Sequence, residues 1–348
     1  MEISFSILKP VWLILIAFLA DLLFGDPEGF PHPVRGIGKM ISVLEGRLLG
    51  KQGEPSPCPL PERERDKVRG KWIKCLLNNG KRINGVFLFF LVTGTIGLGT
   101  YLALKFSAKL HPLLGTLCWV YFGYTALAIK DLVVKAGAVR KKLEIESINE
   151  ARQELSRIVG RDTEFLDREQ IITATVESIA ESTNDGIVAP LFYLFIAGPV
   201  GAMVYKAVNT LDSMVGHQDE KYREFGWFSA RADDVANFIP ARICGFLIAI
   251  SAFVAHGSIR NSLRITFRDG PKHSSPNSGI SEASMAGALG IELGGPAWYA
   301  DKLSLRPYLG EERRTVTAER IREALDISLF ASFLMLILGV LVRVCINP

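Results

Sequence analysis

The stretch that decides the fold is residues 175–205, which read "TVESIAESTNDGIVAPLFYLFIAGPVGAMVY". Its first part places Glu177, Glu181 and Asp185 four residues apart, and an uncharged apolar run follows at once. On a helix, residues at i, i+4 and i+8 lie along nearly the same face, so three carboxylates would stack there. Like charges at this spacing repel each other, and an adjoining membrane raises that cost. The stretch therefore predicts a positively charged partner at the edge of a membrane.

Apolar runs recur along the whole 348-residue chain, and strongly charged stretches separate them. A helix needs about 20 apolar residues to cross a bilayer. The candidate segments are 7–24, 86–104, 112–129, 186–205, 243–257 and 327–345. The first has neither a basic start nor a cleavage site, which favours a retained anchor over a signal peptide. We therefore predict an all-α, polytopic integral membrane protein with about five or six membrane segments, forming one membrane-embedded catalytic domain over residues 1–348.

Two of these segments are irregular. Pro190, Gly198, Pro199 and Gly201 interrupt the 186–205 run, and 243–257 is too short to cross a core of about 30 Å at 1.5 Å per residue. Broken or re-entrant helices are therefore expected where they line a protein cavity. Residues 206–240 would face outward if both segments cross the bilayer and would stay inside if neither does; the sequence leaves both open.

The charged loops predict the orientation of the chain. Lys and Arg are abundant in 25–84, 130–185 and 258–325, so these helical, motif-bearing loops are expected on the cytoplasmic side, with the N-terminus outside. Residues 51–71, rich in proline and then in charge, predict a flexible insertion in the first of these loops. The expected location is the cell membrane, with the active site facing the cytoplasm.

Composition excludes several classes of function. The net charge of +4 gives no electrostatic footprint for nucleic acid. The five cysteines are scattered without a CxxC pair, so neither a disulfide framework nor a zinc site is indicated. No P-loop is present either, because Met40 follows Lys39 and Pro33 stands where the earlier glycine is required.

Four polar clusters adjoin the apolar segments, where polar groups are costly unless they function. Taken singly, each is also compatible with an ordinary solvated helix end or polar turn. The clusters are 25–39 with Asp26, His32 and Arg35; 206–217 with Lys206, Asn209 and Asp212; 228–242 with Arg231, Asp233, Asp234, Asn237 and Arg242; and 268–279 with Arg268, Asp269, Lys272 and His273. Carboxylates beside basic loops are what Mg²⁺–phosphate chemistry requires, because hard oxygen ligands take the cation and basic groups neutralise the phosphates.

The same stretches resemble a known family. "ESIAESTNDGIVAPLFY" (177–193), "NTLDSMVGH" (209–217), "FSARADDVANFIPARI" (228–243) and "RDGPKHSSPNSGISEASMAGALGIELGG" (268–295) are similar to signatures of the CobD/CbiB family, and "GDPEGFPHPVRGIGK" (25–39) is similar to its opening motif. The resemblance runs in order from about residue 20 to 310. Only the 51–71 insertion departs from the family's compact loop, and we expect it to affect no chemistry.

The resemblance implies an adenosylcobinamide-phosphate synthase of cobalamin biosynthesis. Such an enzyme joins a corrinoid propionate carboxylate, that of adenosylcobyric acid, to aminopropanol phosphate or a related amino-alcohol phosphate, and consumes ATP with Mg²⁺. The implied partners are these substrates and the lipid bilayer, and homo-oligomerisation or association with other membrane enzymes of the pathway is a further expectation.

Roles for individual residues follow as hypotheses. The Mg²⁺–nucleotide ligands would be Glu177, Glu181 and Asp185, supported by Asp212 and Asp234. Phosphate contacts would come from Lys206, Arg231 and Arg242. A second phosphate, that of the amino alcohol, would be held by Arg268, Lys272, Ser274, Ser275 and Asn277. His217 or His32 would act as the base.

Two other classes of protein stay open. A transporter or corrinoid-binding protein would also use broken helices with polar ends. A membrane prenyltransferase would use an Asp-rich Mg²⁺ motif, although Asn237 stands where the terminal Asp of DDxxD is expected after Asp233 and Asp234.

Overall fold

The computed structural model describes residues 9–26, 32–49, 64–217, 219, 221–299 and 302–346, with the backbone alone for 64–79 and 346. The first helices are α1 (Pro10–Phe24), α2 (Pro33–Leu48), α3 (Glu64–Leu110), α4 (Pro112–Tyr124), α5 (Ile129–Glu144), α6 (Ile148–Leu155) and α7 (Arg168–Thr183). After a widened turn at Asn184–Val188 come α8 (Ala189–Val215), α9 (Trp227–Ala236), α10 (Phe238–Ser251), α11 (Ile259–Asp269), α12 (Ser278–Leu289), strands β1 (Glu292–Tyr299) and β2 (Lys302–Gly310), and α13 (Glu319–Ile346). Residues 51–63 of the predicted insertion lie outside the described residues, and α3 begins at Glu64.

Five helical stretches are long and apolar enough to cross a membrane. They are Gly80–Leu110, Pro112–Glu144, Arg168–Val215, Phe238–Ala255 and Glu319–Cys345, and the shorter apolar helix Pro10–Phe24 accompanies them. Each predicted segment falls on one of these six helical stretches, which confirms the all-α, polytopic membrane architecture.

The 186–205 segment folds back on itself. Gly198 has φ 62° and ψ −160°, a conformation that is essentially restricted to glycine, and Pro199 starts the next helical arm. The rings of Tyr193 and Tyr205 stack at 5.0 Å, and Asn209 donates to Asp185 at 3.2 Å. In a straight helix, residues 24 positions apart would be about 36 Å apart. This segment is therefore a helical hairpin whose two ends lie close together, which is the geometry expected of a re-entrant segment.

Helix α13 supports the first arm of this hairpin. Thr183 donates to Ser328 at 2.8 Å near the mouth, and Arg343 donates to the carbonyl of Phe195 near the apex. Phe253 packs edge-on against Phe330, near the middle of α13, with the ring centroids 5.1 Å apart. Because α13 is continuous and Thr183 is bonded to it, α13 fixes the position of Asn184 and Asp185, the next two residues along the chain.

The β-hairpin of β1 and β2 adds an element that the all-α prediction does not contain. The strands pair antiparallel from Glu292 opposite Gly310 to Tyr299 opposite Lys302, with an irregularity between Leu293 and Gly295. A side chain at Gly294 (φ 92°) would collide with the carbonyl of Pro307. The hairpin covers the outer end of α7, because Gly294 N donates to Glu177 at 2.7 Å.

Candidate functional site

The widened turn after α7 positions the first two polar groups of the site. Such π-type turns often occur at functional sites because the extra residue redirects the side chains. Thr183 stabilises the approach to this turn by donating to the carbonyl of Ile179 at 2.6 Å. Within the turn, Asn184 donates to the Asp185 carboxylate at 2.7 Å.

Asp185 and Asp233 are linked by side-chain amides. Asn209 Nδ2 lies 3.2 Å from Asp185 Oδ2 and 3.5 Å from Asp233 Oδ1, so one amide stands between the two carboxylates. Asn237 donates to Asp233 at 3.0 Å, and Asn184 donates to Asn237 at 2.9 Å. We call Asn184, Asp185, Asn209, Asp233 and Asn237 the amide–carboxylate cluster.

Two stacked tyrosines fix this cluster from the membrane side. Tyr205, only 2% exposed, donates to Asn237 at 2.9 Å, and Tyr193 donates to the carbonyl of Ala236 at the same distance. The tyrosines come from the two arms of the hairpin, and Asn237 lies at the junction of α9 and α10. The hairpin reversal is therefore what brings the cluster together.

The carboxylates of the cluster are held mainly by neutral groups. Within the described residues, no Lys, Arg or His forms an ion pair with either Asp185 or Asp233. Lys206 is the nearest cation: its ammonium lies 3.4 Å from the backbone carbonyl of Asp185 and interacts electrostatically with Asp185, Asp26 and Asp233. Burial, together with repulsion from Asp185 and Asp212, raises the pKa of Asp233 to about 8.

These residues fit a divalent cation. Asn184 Oδ1 is buried and has no hydrogen-bond partner. It belongs to the side chain whose Nδ2 donates to Asp185, so an unused oxygen lies beside a carboxylate that has no ion-pair partner within the described residues. Mg²⁺ is usually held by one or two carboxylates together with substrate phosphates, so two aspartates and an amide oxygen are sufficient. Among the described residues, no three His, Cys, Asp or Glu side chains could hold a metal together, so the five-carboxylate metal set predicted from the sequence is not assembled.

A cavity of about 410 Å³ opens on the cluster, and we call it the Asp185 cavity. Its charged and amide wall consists mainly of Lys135, Arg157, Glu181, Asp185, Lys206 and Asn209. Glu181 is exposed on this wall, one helical turn from Asp185. The cavity thus combines carboxylates for a cation with basic groups for phosphate.

Glu177 belongs to a different cluster. Its carboxylate accepts from Arg161, from Arg306 at 2.8 Å and from the backbone of Gly294. Arg306 also pairs with Glu282 at 2.9 Å, and His273 lies 3.8 Å from Glu282. We call Arg161, Glu177, His273, Glu282 and Arg306 the buried ion-pair network. The three carboxylates spaced four residues apart therefore do not form one site, because Glu177 pairs with two guanidinium groups whereas Asp185 forms no ion pair within the described residues.

The basic residues of the 268–279 loop also have internal partners. Arg268 donates to both oxygens of Asp269, at 2.8 and 2.6 Å, and Lys272 pairs with it at 2.6 Å. Asp269 is fully buried, and although burial opposes it, these two cations and the Gly310 N–H hold the pKa of its carboxyl below the ordinary range. A phosphate role for Arg268 and Lys272 stays a prediction, and it would require them to bind a ligand beside Asp269.

The remaining predicted residues lie around the cluster and contact one another. Asn277 accepts from Arg242 at 2.8 Å and donates to the carbonyl of Asp234 at 2.8 Å, which ties the start of α12 to α9. Ser275 accepts from Asn277 N and Ser278 N, and Ser274 is exposed. Farther out, Arg231 and Asp234 form an ion pair at 3.6 Å.

The two candidate bases do not line the Asp185 cavity. His217 is exposed, follows the end of α8, packs against Tyr222 with the ring centroids 6.0 Å apart, and interacts electrostatically with Asp212. His32 lies 2.9 Å from Asp26, the residue that interacts electrostatically with Lys206. Asp212 is half-buried on the same arm as Lys206 and Asn209.

Comparison with known proteins identifies the family. The sequence pattern described as "CobD/Cbib protein" matches residues 14–328. The chain belongs to the CobD/CbiB family. It is 41% identical over 327 residues to "Cobalamin biosynthesis protein CobD" of Geobacter metallireducens, covering 94% of this chain and 95% of that protein. Proteins of the same name from Streptococcus sanguinis (41%, covering 90% and 91%) and Citrobacter koseri (40%, covering 94% and 96%) are similar. No solved structure matches the chain.

Membership in this family of cobalamin biosynthesis confirms the resemblance, whereas several residues of the site were not foreseen. The sequence reasoning missed Arg161, Arg306 and Glu282 as partners of the three spaced carboxylates, and it gave no role to Asn184. Asn184 directly precedes Asp185, and Asn237 follows the pair Asp233 and Asp234 by three residues, which is the signal that could have indicated an amide-bridged site. Arg306 offered no such signal, because it lies 129 residues from Glu177.

Proposed function

We propose that this chain joins the propionate carboxylate of adenosylcobyric acid to aminopropanol phosphate, or to a close relative, and consumes ATP. The observation that carries the proposal is the amide–carboxylate cluster: two half-buried aspartates are bridged by one amide, neither forms an ion pair within the described residues, and Asp185, Asn209 and Lys206 line the adjoining cavity. Such a site suits a cation that arrives with phosphate. The expected position of this active site is the cytoplasmic side of the cell membrane.

The chemistry needs activation, because a carboxylate is a poor acyl donor. Transfer of the ATP γ-phosphoryl group to a carboxylate oxygen releases ADP and creates a phosphate leaving group. The ammonium first loses one proton to a base, and the amine nitrogen then forms the new bond to the carbonyl carbon. Phosphate departs with the carboxylate oxygen, and the nitrogen loses a second proton, which leaves the N–H of the amide. Asp185 and Asp233, with an amide oxygen of the cluster, would hold Mg²⁺, which supplies charge neutralisation for the phosphates.

The cavity's own side chains would perform the remaining tasks. Lys206 and Arg157, which both line the cavity, neutralise phosphate oxygens. Glu181, an exposed carboxylate of the same lining, accepts a proton from the ammonium nucleophile, whereas His217 does not line this cavity. Asn209 keeps Asp185 and Asp233 in a fixed relative position.

The test is an end-point assay on protein purified in detergent. The mixture contains adenosylcobyric acid, aminopropanol phosphate, Mg²⁺ and ATP, and mass spectrometry follows the corrinoid. The expected result is a mass gain equal to the amino-alcohol phosphate less one water, only when ATP is present. An unchanged corrinoid with folded protein that binds it would contradict the ligase, and pyrophosphate release from a prenyl donor without ATP would indicate a prenyltransferase.

A corrinoid carrier is the second candidate, because re-entrant hairpins with polar ends also occur in transport proteins. The hairpin around Gly198, with the cluster at its mouth, is the observation in its favour. Sealed vesicles containing the protein would then accumulate the corrinoid without any covalent change.

A further inference from the structure

A second and larger cavity lies beside the Asp185 cavity. It has a volume of about 670 Å³ and separates the 156–166 connection from the β-hairpin. Phe165 and Leu166 line one side, and Pro296 and Trp298 line the other. Phe165 is 90% exposed and Trp298 is 50% exposed, so two aromatic faces are left in contact with water. The cavity therefore has apolar walls that nothing in the described chain covers.

The loop that presents Phe165 is firmly attached at several points. Asp162 N donates to the carbonyl of Trp298 at 2.9 Å, which ties the loop to β1. Arg152 donates to the carbonyl of Leu166, and Ser178 donates to the carbonyl of Ile158. An exposed aromatic ring on an anchored loop forms a preorganised surface, which lowers the entropy cost of binding a flat ligand.

The cavity extends into a groove. A neighbouring cavity of about 280 Å³ shares Arg161, Leu166, Gln170 and Pro296 with it and adds Tyr308, which is 54% exposed. The smaller cavity is also lined by the polar residues Gln170 and Thr173 and by the carboxylates of Glu169, Glu292 and Glu312. Aromatic and apolar surfaces combined with polar groups suit a sizeable organic ligand that carries polar substituents.

One turn of chain separates this groove from the Asp185 cavity. Ser156 lines the groove, whereas the next two residues, Arg157 and Ile158, line the Asp185 cavity. A ligand in the groove could thus extend a side chain past Ser156 and reach the cation and phosphate groups. This adjacency is the geometry that a two-substrate reaction requires.

We propose that the groove between Phe165 and Trp298 binds the corrin ring of the substrate, with one propionate directed past Ser156 into the Asp185 cavity. The inference rests on the proposed function, since it assigns the corrinoid substrate of that reaction to a place. A corrin has broad apolar faces and a rim of amide side chains, and it therefore matches aromatic walls with amide and hydroxyl groups at the edge.

The test measures binding of adenosylcobyric acid by equilibrium dialysis, using the visible absorbance of the corrin, without ATP or amino-alcohol phosphate. Phe165→Ala and Trp298→Ala should each weaken binding about tenfold, as expected for loss of one stacking surface. Trp298→Phe keeps an aromatic face and should retain most of the affinity. Phe267→Ala is the matched control, because Phe267 is 79% exposed on α11 and lines neither cavity. In turnover, KM for the corrinoid should rise while KM for ATP stays unchanged.

The outcomes separate this inference from the proposed function. If the wild-type enzyme turns over and the Phe165→Ala and Trp298→Ala variants bind the corrinoid as tightly as the wild type, the groove is not the corrin site, and the ligase function stands. If the protein binds the corrinoid through these aromatic residues but never converts it, the ligase function is wrong and the groove stands as the corrin site. Absence of any corrinoid binding by folded wild-type protein overturns the groove as well.

Discussion

Glu177 and Asp185 lie two turns apart on one helical segment and are both buried or partly buried, yet they have opposite surroundings. Glu177 accepts from two guanidinium groups and a backbone N–H. Asp185 accepts from the amides of Asn184 and Asn209 and from the Tyr205 hydroxyl, and the Lys206 ammonium lies 3.4 Å from its backbone carbonyl without pairing with the carboxylate. Amides and hydroxyls donate hydrogen bonds but supply no charge, so the Asp185 carboxylate is less completely neutralised than that of Glu177. A carboxylate therefore stabilises the fold in one place and is available to a cation in the other.

The comparison teaches that partners, more than burial, separate a structural carboxylate from a functional one. A buried carboxylate with guanidinium partners recovers much of its desolvation cost, and removing one partner leaves an uncompensated charge. A carboxylate that is bridged to another carboxylate by an amide does not recover its desolvation cost until it binds a cation. Substitutions should consequently affect stability at Glu177 and activity at Asp185.

The largest effect is expected at the amide–carboxylate cluster. Asp185→Asn should lower kcat/KM by on the order of 10³-fold or more, because several kcal/mol of charge stabilisation are lost. The melting temperature in detergent should stay the same or rise, since an uncompensated charge is removed. Glu144→Gln, at an exposed carboxylate paired with Arg140 at 3.4 Å, should change neither quantity. Wild-type activity in Asp185→Asn would contradict the cation site.

The next largest effect is expected in the buried ion-pair network. Arg306→Met should lower the free energy of unfolding by about 3–5 kcal/mol, because Glu177 and Glu282 lose a shared cation. The Arg306→Met/Glu282→Gln double variant should recover part of this loss, since one of the two stranded charges is gone. Denaturation in detergent measures both. A loss of stability equal in the single and double variants would show that Glu282 is not coupled to Arg306.

A smaller and pH-dependent effect is expected at Asp269. Its folded pKa is lowered, so its contribution is fully present above the unfolded pKa of about 4 and is lost as the pH falls through the folded value. Asp269→Asn should cost about 2 kcal/mol at pH 7, because Arg268 and Lys272 are partly solvated and soften the loss. Melting temperatures from pH 7 to pH 3 should fall less steeply in the variant than in the wild type. Parallel curves would show that Asp269 does not contribute to the acid response.

The smallest effect on stability is expected at the hairpin apex. Gly198→Ala should cost about 1–2 kcal/mol, because φ 62° with ψ −160° is unfavourable for a residue with a Cβ. Activity should fall as well, since the reversal places Asn209 beside Asp185. Gly94→Ala is the control: Gly94 lies in α3 with open space around it, and alanine favours helix there. If both variants melt like the wild type, the apex is not strained.

The sequence predicts the membrane segments and the re-entrant run because hydrophobic length and helix-breaking residues are local properties. It also predicts that Asp185, Lys206 and Asp212 belong to one functional region. It cannot predict that Glu177 forms an ion pair with Arg306, because four-residue spacing defines a shared helix face but does not indicate which residues pack on that face. The β-hairpin could not be predicted for a similar reason. The stretch "ELGGPAWY" lacks polar–apolar alternation, and glycine is required at position 294 because the carbonyl of Pro307 lies where a side chain would be.

The reversal at Gly198 also bears on how the protein is assembled. All five members of the amide–carboxylate cluster fall between Asn184 and Asn237, so its contacts join residues at most 53 positions apart, whereas Glu177 and Arg306 are 129 positions apart. Contacts between residues close in sequence form faster than distant ones. We expect the cluster to form during synthesis, before the ribosome has completed α13. The chemistry-bearing part of the molecule would then serve as the template on which the last membrane helix docks.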